Sequence, residues 1–118
     1  MRFTSFVMVL ASVTFLVSAA PFPSPAGDHR LEIAHHDQAA EHHRSQAAYH
    51  GTQLHAHLSA AAVEQSRGDW KSAEAHTVQA MNHNTLMTQH RSRYTYHTQQ
   101  AAHHRQQLNA ARSIEELD

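Results

Sequence analysis

Fourteen of the 118 residues are histidine, and their spacing is regular enough to carry chemistry. His29, His36, His43, His50 and His57 fall seven apart; after a gap, His76, His83, His90, His97 and His104 fall seven apart again. Neutral imidazole is a ligand for Zn, Cu and Ni ions, and it is the side chain that titrates closest to neutrality. Two chemistries follow: transition-metal binding and a proton-driven change of charge. Histidines seven apart on one helix are about 10 Å apart, too far to share an ion. The chain has no HxxxH pair to chelate an ion from a single helix. A strong site must therefore join two helices, for example His57 with His76 or His83, or His43 with His90 or His97.

The candidate metal ligands are His36, His43, His50, His57, His76, His83, His90, His97 and His104. The doublets His35-His36, His42-His43 and His103-His104, and the pair His55 and His57, offer further surface imidazoles. Glu32, Asp37, Glu41 and Glu64 are carboxylates near the series. The competing reading makes histidine a medium-sized packing residue, hydrogen-bonded and set against alanine.

Seven residues is two turns of helix, so each series forms a stripe along one helix face. Three residues before each histidine stands a small or apolar residue. In the first run these are Ile33, Ala40, Ala47, Leu54 and Ala61, the last followed by Glu64 where a histidine would be due. In the second they are Ala73, Ala80, Met87, Tyr94 and Ala101, with Leu108 continuing the row. With the apolar position called a and the histidine d, both runs are heptads with the same seam. Folding the chain back with a against d sets His57 on Ala80, His50 on Met87, His43 on Tyr94, His36 on Ala101 and His29 on Leu108. Every such pair of numbers sums to 137, which puts the fold point between Gly68 and Asp69. The expected fold is all-α, a long antiparallel two-helix hairpin resembling a coiled coil.

The chain then divides readily. Residues 1–20 read as a cleaved signal peptide: Arg2, an apolar core from Phe6 to Val17, and the small residues Ser18-Ala19-Ala20. Residues 21–28 read as a Pro-rich leader, helix 1 spans about 29–67, the turn 67–70, helix 2 about 70–112, and 113–118 is a tail. Gly68 suits a left-handed helix end and Asp69 an N-cap. The expectation is a secreted, extracellular protein with no membrane span after signal cleavage. Leaving out Arg2, residues 21–118 carry 8 Lys+Arg against 10 Asp+Glu, a formal charge of −2 that becomes +12 with all 14 histidines protonated. Such a balance argues against nucleic acid as a partner at neutral pH.

There is no cysteine, so helix packing, metal or self-association must replace the disulfides common in small secreted domains. Apolar residues off the seam (Tyr49, Leu58, Val63, Val78, Met81, Leu86 and Tyr96) suggest a second contact surface. Pairing two hairpins into a four-helix bundle would cover it, making a homo-oligomer. Catalytic motifs are missing: no Gly-x-Ser-x-Gly, no phosphate-binding glycine loop, no HExxH. No enzyme activity and no required cofactor are expected. Arg67-Gly68-Asp69 forms the adhesive tripeptide RGD at the hairpin tip, although Gly-Asp is also what a helix junction uses.

The strings Ala39-Ala40-Glu41-His42-His43, Gln46-Ala47-Ala48-Tyr49-His50 and Gly68-Asp69-Trp70-Lys71-Ser72-Ala73 give a further clue. Over roughly residues 34–105 the chain resembles a loose group of small bacterial His/Ala-rich helical proteins with AAxHHxx heptads and a Gly-Asp turn. That group has no established function, so the resemblance implies no activity and no ligand set. The chain departs from it in losing most histidine doublets after His43 and in a second helix rich in Thr, Asn and Tyr. The leading functional expectation is a non-enzymatic histidine-rich protein that binds Zn, Cu or Ni ions along the seam in a pH-dependent way. The alternative is a secreted interaction or effector-type protein whose helical surface binds a protein partner.

Overall fold

A computed structural model describes residues 25–117 of the chain. It contains two helices, α1 (Pro25–Arg67) and α2 (Trp70–Glu115), packed against each other as an extended antiparallel hairpin. At about 1.5 Å per residue, 43 and 46 residues give rods of about 65 and 69 Å. None of the described helices is long and apolar enough to cross a membrane. The signal expected at 1–20 and the start of the leader lie outside the described residues.

Helix α1 starts earlier than the sequence suggested. Pro25 to Asp28 form its first turn instead of ending an extended leader. Proline is compatible with that position, because the first-turn N–H groups have no helical partner anyway. Asp28 accordingly stands inside the first turn, where its charge favours the N-terminal dipole. At the other end α2 continues to Glu115, into the segment read as tail. The hydroxyls of Thr52, Thr77, Thr85, Thr88, Thr95 and Thr98 each donate to the carbonyl four residues earlier. That bond satisfies them within the helix.

The turn is built as its residues require. Gly68 takes φ of +80°, a left-handed conformation that only glycine adopts without cost. Its N–H donates to the Gln65 carbonyl and that of Asp69 to the Glu64 carbonyl, both at 3.0 Å. This is the paired C-terminal closure that uses up the last free carbonyls of α1. Asp69 then caps α2: its carboxylate accepts from the Ser72 N–H at 3.0 Å and from the Ser72 hydroxyl at 2.7 Å. Those bonds hold the Asp69 carboxyl below its ordinary pKa. Arg67 is 3.0 Å from Glu64. Both charged ends of the RGD tripeptide are therefore engaged within the chain.

The buried core is unusually thin. It consists of Ala40, Ala47, Ala61, Ala73, Ala80, Ala101 and Leu108, all at apolar seam positions except that none is large but Leu108. Ile33, Leu54 and Met87 are half-buried, and Tyr94 lies at the exposed edge of the row. Alanine contributes little apolar area per residue, but it lets two backbones approach closely. That approach brings the d-position side chains of the two helices within reach of each other.

A candidate metal centre along a histidine seam

All ten histidines of the two series are half-buried in the seam, while His35, His42, His55 and His103 are exposed. Away from the two ends of the series, each ladder histidine lies between two histidines of the other helix, as the stagger about a sum of 137 expects, and hydrogen-bonds to one of them. His29 pairs with His104, His36 with His97, His43 with His90, His50 with His83 and His57 with His76. The hydrogen-bonded numbers sum to 133 and the stacked ones to 140, so 137 falls between them. The bond itself follows from polar satisfaction: a ring nitrogen level with Ala80 or Leu108 meets methyl groups, and turning to the adjacent imidazole gives it a partner.

The pairs share one geometry. Nδ1 lies 2.9–3.1 Å from Nδ1 in all five. Between two neutral rings one Nδ1–H donates and the other Nδ1 accepts, so the partners must be opposite tautomers. Between the pairs the rings stack across the seam. His36 lies over His104, His43 over His97, His50 over His90 and His57 over His83, with centroids 5.4–5.6 Å apart and planes within 15–17°. These are offset stacks, the arrangement that aromatic quadrupoles favour. The result is one file of ten imidazoles alternating between the helices, in which hydrogen-bonded and stacked contacts alternate.

The file is electrostatically poised. Burial holds His36, His43 and His90 below the ordinary imidazole pKa of 6.5. Charge on neighbouring imidazoles adds to this: His97 acts on His36, His90 on His43, and His50 on His90. A first proton on a pair turns the bridge into a charge-assisted hydrogen bond. A second would set two N–H groups against each other at about 3 Å.

The carboxylates near the ladder divide unequally. Asp37 accepts two contacts from Arg105 across the hairpin, at 2.6 and 2.8 Å. Glu41 is 3.1 Å from Arg44, and Glu64 is tied to Arg67. Glu32 instead lies 4.0 Å from Nε2 of His36. Among the described residues, Glu32, His36 and His104 form a group of three whose ligating atoms lie within 4.8 Å of one another.

The nine candidate ligands His36 to His104 all lie on this file, and the cross-helix combinations expected for His57 and His43 are its hydrogen-bonded and stacked neighbours. One ladder residue outside the nine, His29, is the partner of His104, and its place in the seven-residue series was the signal for it. Of the four carboxylates named from the sequence, Glu32, four residues before His36, is the one in reach of the ladder. Comparisons of the chain with protein-family models, with curated proteins and with solved structures find no match.

Proposed function

We propose that this is a non-enzymatic protein that binds transition-metal ions between its two helices. The observation that carries the reading is the set of five Nδ1···Nδ1 pairs at 2.9–3.1 Å. Zinc–nitrogen bonds of about 2.0–2.1 Å in tetrahedral geometry place two ligand nitrogens about 3.3 Å apart. The paired rings need to separate by only a few tenths of an ångström to reach that edge. The fold supplies the two-helix origin of ligands that the seven-residue spacing demands. Zn, Cu and Ni ions all suit imidazole donors.

Proton balance sets the pH dependence. A neutral pair already carries two ring protons, so binding at both Nδ1 atoms moves one proton to Nε2 and releases none. A pair holding a third proton must lose it first. Affinity is therefore highest where the pairs are neutral and falls as they take up protons. The secretory reading of residues 1–20 belongs to the same proposal and places the protein outside the cell.

Calorimetric titration of tag-free protein with Zn²⁺ and Cu²⁺ at pH 7.5 and pH 5.5 tests it. The expected result is sub-micromolar binding at a fixed small stoichiometry at pH 7.5. Binding should weaken at pH 5.5, and replacing His43, His50, His83 and His90 by Gln should lower its stoichiometry by removing two of the five pairs. Weak, non-saturating binding would refute it. A second reading draws on the exposed apolar side chains, including Leu58, Val78 and Met81. It makes the helical surface a docking face for a protein partner, with the histidines as packing. Partner binding would survive the histidine replacements and fail on surface changes.

A further inference from the structure

The five pairs are not equivalent, and the difference lies at the end of the hairpin remote from the turn. We infer that Glu32, His36 and His104 form a distinct zinc site with three protein ligands, which takes the first equivalent of metal. The inference rests on the metal-binding reading above and gives it a location, a donor set and a mode of binding.

Three observations converge. The ligating atoms of these residues already lie within 4.8 Å of one another. Glu32 is left facing His36, while arginines neutralise Asp37, Glu41 and Glu64. Both histidines have their Nδ1 engaged elsewhere: His36 with His97 at 3.0 Å and His104 with His29 at 3.1 Å. Their Nε2 atoms are thus the ones to ligate, and Nε2 of His36 lies 4.0 Å from the Glu32 carboxylate.

The donor set has the chemistry of zinc. Two imidazoles and one carboxylate form a neutral-to-anionic N₂O set that leaves a fourth tetrahedral position for water. Ligating histidines characteristically donate their other ring N–H to a fixed acceptor, which sets the tautomer and makes the ligand more basic. Here the acceptors are His97 and His29. Metal on Nε2 of His36 requires the proton on its Nδ1, which donates to Nδ1 of His97; His104 donates to His29 in the same way. The cross-helix pairs stay intact and acquire a fixed direction. In the other pairs an ion would instead displace the bridging proton between two Nδ1 atoms. The side chain of Glu32 is half-exposed, at 53%, so its rotation can bring the carboxylate to bonding distance, while the stacked rings of His36 and His104 must turn to bring their Nε2 atoms together.

The test is Zn²⁺ titration of tag-free protein against a competing chelator, with ¹⁵N-histidine NMR at one equivalent of metal. Wild type should show one site tighter than the rest, with the largest changes at Nε2 of His36 and His104 and their Nδ1 atoms protonated. Glu32→Gln should weaken that site at least about tenfold while leaving the remaining binding and the helicity unchanged. Glu41→Gln, which alters an Arg-paired carboxylate, should leave it as in wild type. A Glu32→Gln variant that titrates like wild type, or a first equivalent that binds at Nδ1, would overturn this site and leave the seam reading standing. Absence of tight binding in wild type would overturn both.

Discussion

The imidazole pair is a residue-scale device whose behaviour follows from two nitrogens at 2.9–3.1 Å. Such a pair admits one shared proton and resists a second, so protonation and packing are linked. His36, His43 and His90 titrate below the ordinary 6.5, chiefly through burial. The unfolded chain therefore binds more protons than the folded chain in the window between 6.5 and the lower folded values. The hairpin keeps its full stability above that window and loses it progressively as the pH falls through it. Thermal melts followed by circular dichroism from pH 8 to 4.5 should show a falling midpoint below about pH 6.5. Replacing His43 and His90 together by Gln should flatten the dependence. An unchanged midpoint across the range would contradict this account. The choice of partner was the part of the site hidden from the sequence. Heptad spacing puts histidine in the seam whichever register is adopted. The stagger sets His43 level with Tyr94, between His90 and His97, and only the requirement that a ring nitrogen find a polar neighbour turns it toward His90.

At the scale of the element, two glycines make opposite predictions. Gly51 lies within α1, and a Cβ there would meet the Met87 sulfur at 3.5 Å, an ordinary contact. Gly51→Ala should stabilise the hairpin by about 0.5–1 kcal/mol, because it removes backbone freedom from the unfolded chain at no steric cost. Gly68→Ala should destabilise it by about 1–2 kcal/mol, because φ of +80° is unfavourable once a Cβ is present. Chemical denaturation of both variants checks the signs. The two helices and their junction were legible in the chain, since Gly68 and Asp69 interrupt the heptads with the residue types a helix end and a helix start require. The beginning of α1 was less so. Pro25 can close a leader or open a helix, and the choice depends on whether the following turn has a neighbouring helix to pack on. His29 with His104 supplies that contact.

For the whole molecule, the balance of apolar surface is inverted. The buried positions are nearly all alanine, while Leu31, Tyr49, Leu58, Val63, Trp70, Val78, Met81, Leu86 and Tyr96 are exposed. A pair of helices joined through alanine and half-buried imidazole gains little from apolar burial, and small scaffolds usually find the remainder in metal or association. We expect self-association, with sedimentation equilibrium giving a mass above one protomer. Replacing Leu58, Val78 and Met81 by Gln should shift it toward the monomer. A monomer at all concentrations would remove the four-helix-bundle proposal. The exposed residues were visible in the sequence as apolar positions off the seam. What they pack against is not encoded by heptad spacing.

The single turn has a mechanical consequence. Two rods joined at one end, and touching along one line, form a pair of tweezers whose pivot is the Gly68 junction. Near the pivot a fluctuation moves the helices apart very little; fifty ångströms away the same angle becomes a wide gap. The tips are therefore where separation begins, and it is there that Arg105 reaches across to Asp37 and that Glu32 stands beside the stacked rings of His36 and His104. A grip placed at the tips works with the longest lever arm available, so a small binding energy there restrains the whole length of the arms.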